Sequence, residues 1–147
     1  VSVDQVVTLM MGCPGAGKTT WIAAHAAGEH VASTEPLRVD RRINASAFMD
    51  VVRRSAITAA YAGRGVIVDS TGLDPRHRAW WRGLAEDVGA RTRLVICEAS
   101  LADVLAAQRG RAAPVADEVV RAYYARLARA IPDALAEPWG EIVRVRR

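Results

Sequence analysis

Lysine is all but absent from this sequence. Of the 20 basic side chains in 147 residues, Lys18 is the only lysine and the others are arginines. This bias, with abundant alanine, fits GC-rich coding, yet the one lysine has been kept inside a glycine-rich loop. Cysteine is scarce too. Cys13 and Cys97 make no disulfide framework and belong to no CxxC or Cys/His metal spacing, so a reduced, cytoplasmic protein without structural metal is expected. No uninterrupted apolar run approaches the roughly 18 residues of a membrane span, and Val1 to Gln5 has neither the basic region nor the apolar segment of a secretory leader. Linkers, low-complexity tracts and internal repeats are not found either, which favours one domain over residues 1–147. The net charge of +4, carried by arginine, suits anionic partners such as nucleic acid or phosphorylated small molecules, though arginine is also ordinary solvated surface.

Short apolar runs alternate with stretches of helical spacing. Val6 to Met11 ends at a glycine loop and reads as a buried parallel strand. Thr19 to Ala27 reads as a helix closed by Gly28, and Leu37 to Val39 as a brief strand leading to Asp40. Ala45 to Tyr61 reads as a helix capped by Asn44, with Phe48, Val51, Val52 and Ile57 as apolar anchors. Gly65 to Asp69 is a second buried-strand pattern. Asp74 and Pro75 open a helix that ends at Gly89, Arg93 to Cys97 is a third strand, and Ser100 with Asp103 opens a helix to about Gln108. A loop, RGRAAP, precedes a helix from Val115 to Arg129 with Val119, Tyr123 and Leu127 at helical spacing; Ile142 to Val145 is a last strand. The alternation predicts an α/β fold, a mainly parallel sheet of about five strands flanked by helices. Ligands bind at the carboxyl ends of such strands, which marks the Gly12 loop, Asp40, and Asp69 to Gly72.

Gly12-Cys13-Pro14-Gly15-Ala16-Gly17-Lys18-Thr19 fits GxxxxGK[ST] at every fixed position, between a strand and a helix as the motif requires. Glycines let the backbone curl so that successive N–H groups face phosphate oxygens, and the following helix adds its positive end. Residues 12–19, with Thr20 beside them, are therefore expected to bind ATP or another NTP. Lys18 would reach the outer phosphates, and the Thr19 hydroxyl would ligate Mg²⁺.

A GTPase would carry a base-reading NKxD, which this sequence lacks, although DSTG at 69–72 matches the DxxG of a nucleotide switch. What remains is a compact phosphotransferase, which needs a base for the acceptor and mobile cations over the transferred group. Asp40, after a strand in LRVDRR, is placed to be that base; it could also be a turn residue paired with Arg41 or Arg42. Arg109 and Arg111 flank Gly110 in a loop that can act as a lid, about 109–114.

These residues resemble the bacteriophage-type polynucleotide 5′-kinase family over roughly residues 5 to 130. GCPGAGKTTW is similar to that family's G-C-P-G-S-G-K-S-T-W loop, and RVDRR to its R-D-D-type segment, matching Asp40. VDSTGLDPRHRAWW is similar to D-T-N-L-N-P-x-R-R-x-x-W, matching Thr71, Leu73, Pro75 and Arg78. QRGRAAPVADEVVRAYYARL is similar to the family's arginine lid and the helix after it. The resemblance implies a P-loop kinase with Asp40 as general base, Lys18 and Arg109 or Arg111 over the phosphoryl group, and Arg42, Thr71 and Arg78 toward the acceptor. That acceptor would be the 5′-hydroxyl of DNA or RNA. The sequence departs from the pattern at Gly72, where the family has asparagine, at Arg41, where it has an acid, and at Ile43, where it has an arginine that Arg42 replaces only if the turn shifts. These departures leave a small-molecule acceptor (a nucleoside, sugar or antibiotic) as the alternative, and a nucleotide-dependent switch or binding module as the second. No D-x-D-G-T-like phosphatase motif is present. His25, His30 and His77 lack metal spacing, and of the adjacent Trp80 and Trp81 one is expected in the core and the other at a helix edge.

Overall fold

The computed structural model describes residues 4–34, 42 and 44–146. Its centre is β1 (Val6–Met11), whose alternate faces are both covered: Val7, Leu9, Met10 and Met11 are fully buried. A parallel strand buried on both sides has no polar face to offer, which is why this run is almost continuously apolar. Each fully buried side chain of this size contributes about 1.5–3 kcal/mol relative to exposure. Around β1 lie β2 (His30–Ser33), β3 (Val66–Asp69), β4 (Arg91–Glu98) and β5 (Glu141–Arg146), in the order β2-β3-β1-β4-β5 with every neighbouring pair parallel. Leu9 faces Val68 on one side and Leu94 on the other.

The connections are helices: α1 (Lys18–His25), α2 (Ala45–Tyr61), α3 (Pro75–Val88), α4 (Leu101–Arg109) and α5 (Asp117–Leu135). Their starts are set by local chemistry. Asn44 accepts from the Ala47 amide at 3.0 Å, Asp74 from the Arg76 amide at 2.9 Å ahead of Pro75, and Ser100 from the Asp103 amide at 3.1 Å. Gly89, with φ 70°, ends α3 in the left-handed conformation.

Several expectations are revised. The strand His30–Ser33 has no counterpart in the sequence pattern; it is a sheet edge in which only Ala32 is buried, so its four residues carry almost no apolar signal. Leu37 to Val39, expected as a strand, lies outside the described residues. Helix α2 buries Ala56, Ala59 and Ala60 and leaves Val51 and Ile57 exposed, because alanine allows the helix to approach the sheet closely. In α5 the buried stripe is Val120, Leu127 and Ala134 rather than one beginning at Val119. That helix also runs six residues past Arg129, through Pro132, and buries Ala134 near its end.

Candidate nucleotide site

Residues 12–17 leave the end of β1 and turn directly into α1. Gly15 (φ +89°) and Gly17 (φ 99°) take conformations that L side chains rarely adopt. Gly12 is required for a different reason, close approach: a Cβ there would lie 2.8 Å from the Cys97 carbonyl oxygen. The Gly12 amide donates to the Thr71 carbonyl at 3.0 Å, which ties the loop to the segment after β3, and the Ala16 amide donates to the Cys13 carbonyl at 3.1 Å.

Lys18 opens α1 and is only 5% exposed. Its Nζ donates to the carbonyls of Gly12 at 2.6 Å and Cys13 at 3.0 Å, so the ammonium is folded back along the loop it follows. Burial raises the Cys13 thiol pKa above its ordinary value despite the opposing Lys18 charge, and both cysteines are buried. Cys13 therefore packs as a small apolar side chain. Thr19 and Thr20 stand exposed on the first turn of α1.

At the end of β3, beside β1 in the sheet, Asp69 is buried; its Oδ2 lies 3.5 Å from the Ser33 hydroxyl, and its carbonyl accepts from the Thr34 amide at 3.0 Å. The sequence marks Asp69 to Gly72 as a ligand-binding place and DSTG as a DxxG match but assigns Asp69 no metal role, although an aspartate closing the apolar run VIVD is a usable signal. A serine or threonine hydroxyl at the start of the helix and a carboxylate at the end of the adjacent strand are hard oxygen donors of the kind that hold Mg²⁺ on nucleotide phosphates.

The other expected site residues fall into three groups. Asp40 lies outside the described residues, as do Arg41 and Ile43. Arg42 is exposed on a turn, and Thr71 is half-buried with its carbonyl engaged by the phosphate loop. Arg109 is exposed and pairs with Asp117 at 3.5 Å, while Arg111 is half-buried with its amide donating to the Gln108 carbonyl at 3.1 Å.

Arg78 departs from its expected place. Rather than facing an acceptor it is 1% exposed, with Nε 2.8 Å from Glu137 Oε1, Nη2 2.9 Å from Glu137 Oε2, and Nη1 donating to the carbonyls of Gly72 at 2.8 Å and Leu73 at 3.1 Å. A guanidinium so occupied is scaffold for the loop after β3. His77, one residue earlier, places Nε2 3.2 Å from the Ser70 hydroxyl. Burial, with Arg53 and Arg78 adding to it and Asp74 opposing, lowers its pKa to about 4. The imidazole is thus neutral near pH 7.

The AAA domain family matches residues 7–131, and the chain belongs to that family. A candidate kinase from Chloroflexus aurantiacus is similar in structure with a TM-score of 0.67 at 18% identity, over 99% of this chain and 89% of that one. A sugar kinase from Janibacter sp. HTCC2649 gives 0.62 at 16%, over 97% and 85%. A chain of a Pnkp1/Rnl/Hen1 complex gives 0.60 at 13%, over 79% and 42%. No curated protein sequence matches the chain. At these identities the likeness establishes the fold, that of the P-loop kinases, with its five-stranded parallel sheet between helices. Among the described residues no helix is long and apolar enough to cross a membrane.

Proposed function

We propose, with membership of this P-loop family as the premise, that the chain is a kinase that moves the γ-phosphoryl group of ATP to a hydroxyl, and that the acceptor is the 5′-hydroxyl of DNA or RNA. The observation that carries the kinase reading is the loop of residues 12–17 curled around a nearly buried Lys18, with Asp69 at the end of the adjacent strand. In this reading the amides of residues 12–19 hold the nucleotide phosphates and Lys18 turns to the outer ones. Thr19 and Asp69 would hold Mg²⁺, which when bound neutralises charge on the phosphate oxygens. Arg109 or Arg111 adds charge over the transferred group, Asp40 takes the acceptor's proton, and Arg42 and Thr71 face the acceptor.

The polynucleotide acceptor is supported by the four motif resemblances and by the arginine-borne positive charge. The second reading, a small hydroxylated acceptor, is favoured by the likeness of 97% of the chain to a sugar kinase. A nucleotide switch is disfavoured by one observation. Gly72 of DSTG, at φ +69°, is packed so closely that a Cβ would meet the Met10 carbonyl at 2.9 Å, and Arg78 Nη1 donates to the Gly72 carbonyl. A segment fastened on both sides is poorly suited to order and release with the nucleotide state.

The test is transfer of labelled γ-phosphate from ATP–Mg²⁺ to 5′-hydroxyl DNA and RNA oligonucleotides beside a panel of sugars and nucleosides, with Asp40→Ala as control. Asp40-dependent labelling of oligonucleotide ends is expected. Labelling of small acceptors alone would overturn the polynucleotide assignment, and no labelling while ATP still binds would overturn the kinase.

A further inference from the structure

Gln108 is only 1% exposed, and the chemistry above gives it no task. It is the penultimate residue of α4, and its Oε1 accepts from the Val115 amide at 3.0 Å, so one side chain joins the two feet of the 109–114 loop. Its carbonyl accepts from the Arg111 amide at 3.1 Å, inside the same loop. The other end of the side chain, Nε2, is buried without a hydrogen-bond partner. Turning the amide over does not relieve this, since Nε2 would then face the Val115 N–H donor to donor.

The unpartnered nitrogen lies against the phosphate loop. A Cβ built on Gly15 would come 3.3 Å from Gln108 Nε2, 3.2 Å from Ala107 Cβ and 3.3 Å from the Val104 carbonyl oxygen. Gly15 is not a fixed position of GxxxxGK[ST], so this glycine answers to the helix packed on it as well as to its own φ of +89°. Helix α4 and the phosphate loop therefore meet with no side chain from Gly15 between them, at the point where α4 passes into the loop bearing Arg109 and Arg111. An unpartnered buried donor is costly, and each one in a native structure calls for an explanation.

We propose that Gln108 is a positioning residue that couples the phosphate loop to the arginine-bearing loop: nucleotide binding tightens residues 109–114 through the Gln108 side chain. The inference rests on residues 12–19 being a nucleotide site. In the present arrangement Arg109 is turned to Asp117, with both side chains largely in solvent, so releasing Arg109 breaks a weak surface pair.

The experiment is amide hydrogen exchange on the full chain with and without Mg²⁺ and a non-hydrolysable ATP analogue, whose affinity is measured separately by calorimetry. In the wild type the analogue is expected to slow exchange in residues 109–115 by about tenfold or more. Gln108→Met keeps the volume and removes both hydrogen-bonding ends; affinity should stay within about threefold while the slowing is lost. An analogue that binds the wild type without slowing the loop overturns the proposal with no variant needed, and so does Gln108→Met slowing as the wild type does. Failure of the wild type to bind the analogue would overturn the nucleotide site itself, and this inference with it.

Discussion

Arg78 and Glu137 meet beneath the loop that follows β3, Nε to Oε1 at 2.8 Å, although 59 residues separate them in the chain. The same guanidinium holds the Gly72 and Leu73 carbonyls, and the Thr71 carbonyl next to them holds the Gly12 amide. A carboxylate just beyond α5 thus anchors the start of the phosphate loop through three links. Arg82 at 3.0 Å and the Trp139 indole N–H at 3.2 Å complete the surroundings of Glu137.

Removing the carboxylate should therefore cost more than its position near the surface suggests. Glu137→Ala leaves Arg78 buried without its counter-charge, a loss of about 3–5 kcal/mol for a pair of this kind. Chemical denaturation of Glu137→Ala beside Arg78→Met is the check; a loss below about 1 kcal/mol would mean the pair behaves as a surface one. Burial pushes the Glu137 pKa up, but the Arg78 hydrogen bonds and charge, with Trp139 and Arg82, outweigh it and leave it below the ordinary 4.5. A carboxylate lowered in the folded state stabilises above its unfolded pKa, and that contribution is lost as pH falls through the lowered value. The wild type should lose stability more steeply than Glu137→Ala below pH 4.5.

His77 acts in a higher window. Its folded pKa of about 4 lies below the ordinary 6.5, so the unfolded chain binds the extra proton between these values. Stability is then fully present above pH 6.5 and falls as pH drops toward 4, by at most about 3 kcal/mol and by less to the extent that water reaches the ring. His77→Gln can keep a hydrogen bond to Ser70 and cannot titrate. Its unfolding free energy should be flatter between pH 7 and pH 5 than that of the wild type, and equal slopes would place the ring in solvent.

The features that local chemistry decides were readable in the sequence. Asn44 and the spacing after it define α2 as Ala45–Tyr61, and GxxxxGK[ST] fixes the turn from β1 into α1. Adjacent tryptophans cannot share a helix face, and Trp81 is fully buried while Trp80 sits half-buried at 4.7 Å, edge to face. What the sequence hid depends on partners far along the chain. Arg78 looks like an acceptor ligand until Glu137 is brought to it, and Gln108 is an ordinary helix residue until Gly15 lies against it. The edge strand His30–Ser33 is fixed by pairing with β3, a force that no pattern within four residues displays.

Lys18 is the clearest test of nucleotide engagement. Lys18→Ala removes a buried cation that donates to two loop carbonyls. Charge-assisted bonds of this type are worth about 1.5–3 kcal/mol, which corresponds to a loss of ATP affinity of roughly 10- to 100-fold. Calorimetric titration with ATP–Mg²⁺ reads this directly. Unchanged affinity would show that the amides of the loop hold the phosphates without the lysine.

Asp69 separates the metal from the nucleotide. Asp69→Asn keeps the shape of a buried side chain and a hydrogen-bonding oxygen toward Ser33 while removing the charge. If the carboxylate helps to hold Mg²⁺, ATP should bind the variant about as well as the wild type in the presence of a chelator, where no ion contributes. The gain in affinity on adding Mg²⁺ should shrink by about tenfold, or roughly 1.4 kcal/mol, since Mg²⁺ in such sites relies on one or two carboxylates beside the phosphates. Titration of Mg²⁺ at fixed ATP, followed by nucleotide binding rather than turnover, isolates this term from any effect on Asp40 or the acceptor. A variant with the same Mg²⁺ dependence would leave Thr19 as the protein's metal-holding oxygen and would make Asp69 a strand-end residue whose task is to fasten Thr34 and β2 to β3.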